Sequence, residues 1–224
     1  MNVRMLPTQE DEDLIYPSSD GKPMADNTIQ FRHVVMVQGG LDAQFRDDPN
    51  VLVVGDNLWY PVYGHPKICT APDAMVVFGR PKGDRPSYKQ WREENVSPQV
   101  AFEILSHHNR PKEMSRKFEF YQRYGVEEYY VFNPYKRTLK GYHRVHDRLL
   151  EIDDLSVWVS PRLGVRFDLS GTEHWIIGSD GRPFQFYIEA TAERDEEQKQ
   201  RKRAEAKARK LAKKLRELRI DPDA

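Results

Sequence analysis

The sequence predicts an α/β fold with an antiparallel extension and a charged C-terminal helix. Three observations carry that expectation. Short runs rich in β-branched and aromatic residues, bounded by turn residues, fall at 51–54, 74–78, 100–105 and 129–132 and read as strands. Two longer segments, at about 28–46 and 113–124, place apolar residues at helical spacing and interleave with those strands. Beyond residue 190 the composition turns to Ala, Glu, Lys and Arg, which favour a long helix.

Each element has its own warrant. Residues 1–25 are polar and proline-containing, with acidic residues at Glu10–Asp13, and are expected to form an extended N-terminal arm. Asn27 or Thr28 can cap the first helix, with Ile29, Val34, Val37, Leu41 and Phe45 along one side and Gly39-Gly40 weakening its middle. After Asp47-Asp48-Pro49-Asn50 comes the strand 51–54. The strand 74–78 follows Pro72-Asp73 directly, and its unbroken apolar run predicts cover on both faces. Residues 79–98 read as a polar loop before the strand 100–105. In the helix 113–124, Met114, Phe118 and Tyr121 share a face, and Gly125 is a suitable stop. The strand 129–132 closes at Asn133-Pro134. Strands near 139–144, 149–152 and 164–168 form the antiparallel extension, and Ser179-Asp180-Gly181 predicts a hairpin turn. In the C-terminal segment Ala204, Ala208, Leu211, Leu215 and Leu218 recur at spacings of four and three, a heptad-like seam. It suits a helix lying on the domain or, as we favour, a self-association helix that would make the protein a homodimer through a coiled coil. The expected division is therefore an arm at 1–25, one domain at 26–190 and the charged helix at 191–224.

Composition excludes several classes. With 224 residues and 38% hydrophobic content, the chain suits one medium domain and an appendage. No run approaches the roughly 18 apolar residues of a membrane helix, and the acidic N-terminus has no apolar secretory core. The single cysteine, Cys69, excludes a disulfide framework and a multi-cysteine metal site and points to a cytoplasmic protein. Cys69 lacks flanking residues that would activate it as a nucleophile. The 35 basic and 35 acidic residues cancel, which argues against indiscriminate nucleic-acid binding but not against a local groove. The balance is uneven, because residues 191–220 hold 12 Lys/Arg against 6 Asp/Glu.

Three residues stand out chemically. Asp73, at a strand entry behind a proline, has an ordinary use as a turn cap. Glu103 sits between Phe102 and Ile104 in an apolar strand, where a carboxylate is costly unless it is paired or binds a metal. Alternation along the strand puts it on the face of Ala101 and Leu105. Lys117 lies about 60° from the centre of the helix stripe, at the border of core and surface. It can reach over the sheet edge or form an exposed pair with Glu113, and spacing alone does not choose between these.

In combination, Pro72-Asp73, a strand glutamate about 30 residues later and a nearby lysine resemble the PD-(D/E)xK nuclease superfamily. More closely, APDAMVVFGRPKGDRP, VAFEILS and Arg110…Glu113…Lys117…Tyr121…GVEEYYVFNP resemble the Uma-two family of restriction-endonuclease-like proteins over roughly residues 20–190. The resemblance implies a restriction-endonuclease-like core, a mixed central sheet flanked by helices, and hydrolysis of DNA phosphodiester bonds. It implies Mg2+ (or Mn2+) held by Asp73, Glu103 and the backbone carbonyl of Ile104, with Lys117 orienting water or stabilising phosphate charge. Read from the residues themselves, Asp56 in GDNLWYP is a turn residue or a carboxylate that supports the site, as Glu113 can be, and the cluster Arg110, Lys112 and Arg116 beside Lys117 suits contact with phosphate or an ordinary charged helix surface. Departures are visible too. The position two after the glutamate, lysine in the standard pattern, is Leu105, so the role falls to Lys117 on the next helix. Glu113 and Asn133 stand where aspartate is usual, and His107-His108 follow the strand, although adjacent side chains of an extended segment diverge. The competing functions are a catalytically weak binding or assembly module acting through the C-terminal helix, and a hydrolase of RNA or nucleotides.

Overall fold

The computed structural model describes residues 15–21, 23–170 and 174–217. In chain order the strands are β1 (Val51–Val54), β2 (Trp59–Tyr60), β3 (Ala74–Phe78), β4 (Tyr88–Lys89), β5 (Val100–Ile104), β6 (Glu128–Asn133), β7 (Thr138–Val145), β8 (Arg148–Glu151), β9 (Arg166–Phe167) and β10 (Ile176–Ile177). The helices are α1 (Thr28–Gln44), α2 (Pro111–Arg123) and α3 (Tyr187–Glu217).

A six-stranded mixed sheet runs β1-β3-β5-β6-β7-β8. Only β5 and β6 pair in parallel; the other neighbours are antiparallel. A parallel pair needs a crossover, and α2 supplies it. Because side chains alternate along β5 and β6, the sheet has two distinct faces. On one, Phe102 stacks on Tyr130 at 5.0 Å and approaches Trp175. On the other, Ala101 and Tyr129 join Met75, Val77 and the α2 residue Tyr121 in a buried cluster. Ala74 to Val77 are fully buried, as their unbroken apolar run predicts. The α/β fold and its antiparallel β6-β7-β8 extension are thus as expected.

The sequence placed the buried face of α1 in part: Val34, Val37 and Leu41 are buried as expected, and Ile29 and Phe45 are not. Asn27 is the cap, its side chain accepting from Ile29 N (3.1 Å) and Gln30 N (3.0 Å). The helix then buries Gln30 and His33 with Val34, Met36, Val37 and Leu41, while Ile29 is 45% exposed and Phe45 is the C-cap. Hydrogen bonds explain the substitution of polar for apolar residues. Gln30 Nε2 donates to the Ile104 carbonyl (2.9 Å), and His33 Nδ1 accepts from Trp175 Nε1 (3.4 Å). Gly40 is also a packing requirement, since a Cβ there would lie 2.3 Å from the Phe184 ring.

Residues 79–98 are more than a polar loop. They contain β4, which pairs in parallel with β2, and a 3-10 turn at Gln90–Arg92. Tyr88 and Lys89 are buried. Glu93 accepts from Arg80 Nε (2.9 Å) and Arg85 Nε (2.6 Å), so the charges that made this segment look solvated satisfy one another. The strand expected at 164–168 contracts to the two residues of β9, paired with β10. The turn at 179–181 is present, with Gly181 at φ +82° and its N–H donating to Gly178 O (2.9 Å).

Most of the N-terminal arm, residues 1–14, lies outside the described residues. Tyr16 is buried with Leu58 and Tyr60, so the end of that segment belongs to the core. The described residues up to Phe184 form one compact unit and those from Gln185 another. In the second, α3 starts at Tyr187 and Leu211 is 59% exposed; Leu218 of the heptad-like seam and the side chain of Leu215 fall outside the described set. Among the described residues, no helix is long and apolar enough to cross a membrane.

Candidate active site

The turn before β3, the end of β5 and the middle of α2 converge on one cleft. β5 delivers Glu103 to the face covered by α2, where only 4% of its side chain is exposed. Both carboxylate oxygens are engaged: Lys117 Nζ donates to Oε2 (2.6 Å) and Tyr121 Oη to Oε1 (2.5 Å). Lys117 also donates to the Ala71 carbonyl (3.3 Å). Of the two uses its helical position allowed, Lys117 adopts the reach across to the sheet. Its pairing partner is Glu103, and Glu113 acts on it only as a more distant charge.

Asp73 is buried immediately before β3 and accepts the Ile104 N–H through Oδ2 (2.5 Å). This bond crosses from the β3 turn to the end of β5 and fixes the carboxylate next to the Ile104 peptide, leaving Oδ1 as a donor of lone pairs. The Ile104 carbonyl accepts from Gln30 and keeps a second lone pair.

The electrostatics follow from burial among like charges. Desolvation and the negative charge of Glu103 push the Asp73 carboxyl up to about 8, against the opposing pull of Lys117 and the Ile104 N–H. Burial alone would lower Lys117, but Glu103 and Asp73 outweigh it and hold its ammonium above the usual lysine value. Burial and the Glu103 charge hold the Tyr121 hydroxyl protonated well above the normal tyrosine range. Asp56 is raised by burial and by Asp20.

A cleft of about 630 Å³ is lined by Asp56, Asp73, Glu113, Arg116 and Lys117, whereas Glu103 and Tyr121 are buried and do not line it. Asp56 adopts the left-handed conformation at φ +45°, unusual for a non-glycine residue and common where local geometry serves a site. Arg110 caps α2 through its backbone, and it and Lys112 are exposed at the helix start. His107 stacks on Tyr135 at 3.7 Å, whereas His108 Nδ1 lies 3.5 Å from Asp26 Oδ2, so the two imidazoles diverge. Cys69 lines the cleft with its thiol against the Tyr60 hydroxyl.

The donors suit a hard divalent cation: two carboxylates and a backbone carbonyl, all oxygen. Among the described residues there is no group of three or more His, Cys, Asp or Glu that could hold a metal ion. A closed protein cage is therefore absent there, and a cation seated on Asp73 and Glu103 would keep several waters, as Mg2+ prefers.

Sequence reasoning missed three participants. Tyr121 was legible only as a core residue, since its hydroxyl has no periodicity. Gln30 carried a usable signal, a polar residue three before His33 and four before Val34 on the inward face of a helix. Asp26 lines the cleft and accepts from Ser106 Oγ, a contact made across 80 residues that no local pattern reveals.

A family model described as "Putative restriction endonuclease", that of Uma2, matches residues 6–173. Among solved structures, "a putative nuclease belonging to DUF820" from Anabaena variabilis ATCC 29413 is 15% identical, with a TM-score of 0.47 over 68% of this chain and 88% of that one. No curated protein matches the chain.

Proposed function

Given that this chain belongs to the Uma2 family of restriction-endonuclease-like proteins, we propose that it is a Mg2+-dependent endonuclease that hydrolyses DNA phosphodiester bonds. The observation that supports this most is the buried Lys117–Glu103–Tyr121 arrangement, whose Lys117 lines a solvent-accessible cleft together with Asp73. A buried carboxylate with a cationic partner has a structural use as well. A second carboxyl beside it, Asp73, pushed up to about 8 by burial and the Glu103 charge, is harder to justify by stability alone.

Asp73, Glu103 and the Ile104 carbonyl would hold Mg2+ or Mn2+. When bound, the ion would polarise the scissile phosphate and make its water a better nucleophile near neutral pH. The protein residues divide the remaining work. Asp73 would hold the cation as its carboxylate, since metal ligation requires the deprotonated form. Tyr121 fixes the rotamer of Glu103. Lys117 stays protonated, which suits it to stabilise negative charge on the phosphate and to orient water rather than to remove a proton. Arg116 in the cleft, with Arg110 and Lys112 at the start of α2, would contact flanking phosphates. Water oxygen bonds to phosphorus as the bond to the leaving sugar oxygen breaks; the water gives up one proton to solvent, and the leaving oxygen takes up one from solvent. Self-association through α3 completes the proposal and rests on the spacing of Ala204, Ala208 and Leu211.

The alternative reading, a binding or assembly module, draws on α3 forming a unit of its own with an almost wholly exposed surface. Incubation of the protein with plasmid DNA, single-stranded DNA and RNA, in Mg2+, Mn2+ or EDTA, separates the readings. Metal-dependent cleavage of DNA that is lost in Glu103→Gln supports the endonuclease. Absence of cleavage with intact self-association supports the module, and cleavage of RNA alone reassigns the substrate.

A further inference from the structure

The charge of α3 is sorted both along the helix and around it. Tyr187 to Gln198 hold five Asp/Glu and one arginine, whereas Lys199 to Lys214 hold nine Lys/Arg and one acid, Glu205. At about 100° of rotation per residue, eight of those nine cations fall within an arc of about 160°. Lys202, Arg203, Lys207, Arg209, Lys210 and Lys214 belong to this face, and all are exposed. The ninth, Arg201, lies on the other side and donates to Glu205 Oε1 (3.0 Å), so the acid of this stretch pairs away from the basic face. At the start of the face Lys199 lies 3.8 Å from Glu196. The opposite side carries Ala204, Ala208, Leu211 and Ala212.

Helical stability alone does not ask for this sorting. An exposed helix gains from acids and bases that alternate four residues apart, and like charges at that spacing destabilise it. Lys199–Arg203, Arg203–Lys207 and Lys210–Lys214 are all like pairs of that kind. Counter-charge supplied from outside the chain relieves their repulsion. The face runs about 22 Å along the helix axis, too long for one small anion and suited to a polyanion.

Two features narrow the polyanion. Helices that lie on a membrane surface bury Trp, Phe and Leu on the side away from their cations. Between residues 199 and 214 that side is alanine with one leucine and no aromatic residue, which disfavours lipid. The width of the face points to a duplex. A helix about 10–12 Å across matches a major groove about 12 Å wide, and a basic arc of about 160° meets the phosphates of both flanking strands, where a narrow stripe would meet one. We propose that the basic face of α3 lies along duplex DNA and holds its phosphates without regard to sequence. The choice of DNA as the polyanion rests on the nuclease reading, whereas the contact itself uses none of the chemistry of the cleft. Self-association through the opposite, alanine-rich side leaves this face open.

The test titrates the full-length protein into fluorescently labelled duplexes of two unrelated sequences, in excess EDTA so that no turnover occurs. Anisotropy is read from about 50 to 200 mM salt, the range over which phosphate contacts are lost. Two pairs on the face, Lys207→Gln with Lys214→Gln and Lys202→Gln with Arg209→Gln, are compared with a pair off it, Arg194→Gln with Arg201→Gln, which removes the same charge. Each pair on the face should weaken both duplexes alike, by about 10-fold, and reduce the slope of log affinity against log salt by about 2. The pair off the face should leave the slope unchanged. Glutamine keeps a high helix propensity, and circular dichroism verifies the helix in every variant. Equal slopes in all three pairs, or no duplex binding by the wild type, overturn the proposal. Binding to vesicles of phosphatidylserine and phosphatidylcholine without binding to DNA overturns it in favour of lipid. Because the titration contains no metal, failure of the wild type to cleave DNA with Mg2+ counts against the nuclease reading separately.

Discussion

Removal of the Lys117 ammonium should strand a buried charge. In Lys117→Met the helix and most of the side-chain stem remain, but Glu103, 4% exposed, retains only the Tyr121 hydroxyl as partner. Breaking a buried ion pair from one side costs about 3–5 kcal/mol, and the 20% exposure of Lys117 favours the lower end, about 3 kcal/mol. For a protein of this size that corresponds to a fall in Tm of about 6–12 °C. The cause is the uncompensated carboxylate, so Glu103→Gln in the same chain should recover much of the loss, giving a coupling of at least about 1.5 kcal/mol in a double-mutant cycle. Calorimetry in EDTA measures all four proteins free of metal. An unchanged Tm in Lys117→Met, or additive single losses in the double variant, would refute the claim that this pair is the buried electrostatic centre of the site.

Further outcomes follow from the same geometry. A carboxyl raised to about 8 makes the folded state bind a proton more tightly than the unfolded state does, so its contribution to stability is present at pH 4 and is lost as pH rises to about 8. At about 1.4 kcal/mol per unit, even half of the shift makes Asp73 destabilising by about 3 kcal/mol at pH 8, and Asp73→Asn should therefore stabilise the metal-free protein at pH 8 but not at pH 4 in urea melts. By the same linkage, calorimetric Mg2+ affinity should rise with pH towards 8 in the wild type and be lost in Asp73→Asn. Tyr121→Phe deletes a hydrogen bond to a charged, buried acceptor and should lower stability by about 1.5–3 kcal/mol while also weakening Mn2+ binding. Gly40→Ala should cost about 1–3 kcal/mol, because the added methyl meets the Phe184 ring, and compensation by Phe184→Leu would confirm the clash.

The strands of the main sheet were legible because their residues carry the signal locally. Val51–Val54 and Ala74–Phe78 are runs of apolar, mostly β-branched residues between turn formers, and burial on both faces leaves no need for alternation. β2, β4 and β10 were not legible, since a two-residue strand has no period and exists only through its partner. The inward face of α1 was misjudged where hydrogen bonds to Ile104 and Trp175 make Gln30 and His33 better core residues than Ile29. Similarly, Arg80, Arg85 and Glu93 look like solvent-exposed charges until their mutual pairing is seen. In the site, Glu103 was visible as a carboxylate embedded in an apolar strand, a local anomaly, whereas Asp73, at the entry to β3, stood out only by its place in the resembled pattern. The choice of Lys117 between Glu113 and Glu103 is a tertiary fact, and so is the Tyr121 hydroxyl bond; neither leaves a trace in spacing.

The central claim is that Asp73, Glu103 and Lys117 together perform metal-dependent hydrolysis of DNA, and single-turnover cleavage of end-labelled DNA by the wild type, Glu103→Gln and Lys117→Met tests it most directly. Cleavage by the wild type in Mg2+ or Mn2+, abolished by EDTA and reduced at least about 100-fold in each variant while DNA binding persists, is the predicted result. Metal-dependent cleavage that survives in both variants would place the chemistry elsewhere in the chain.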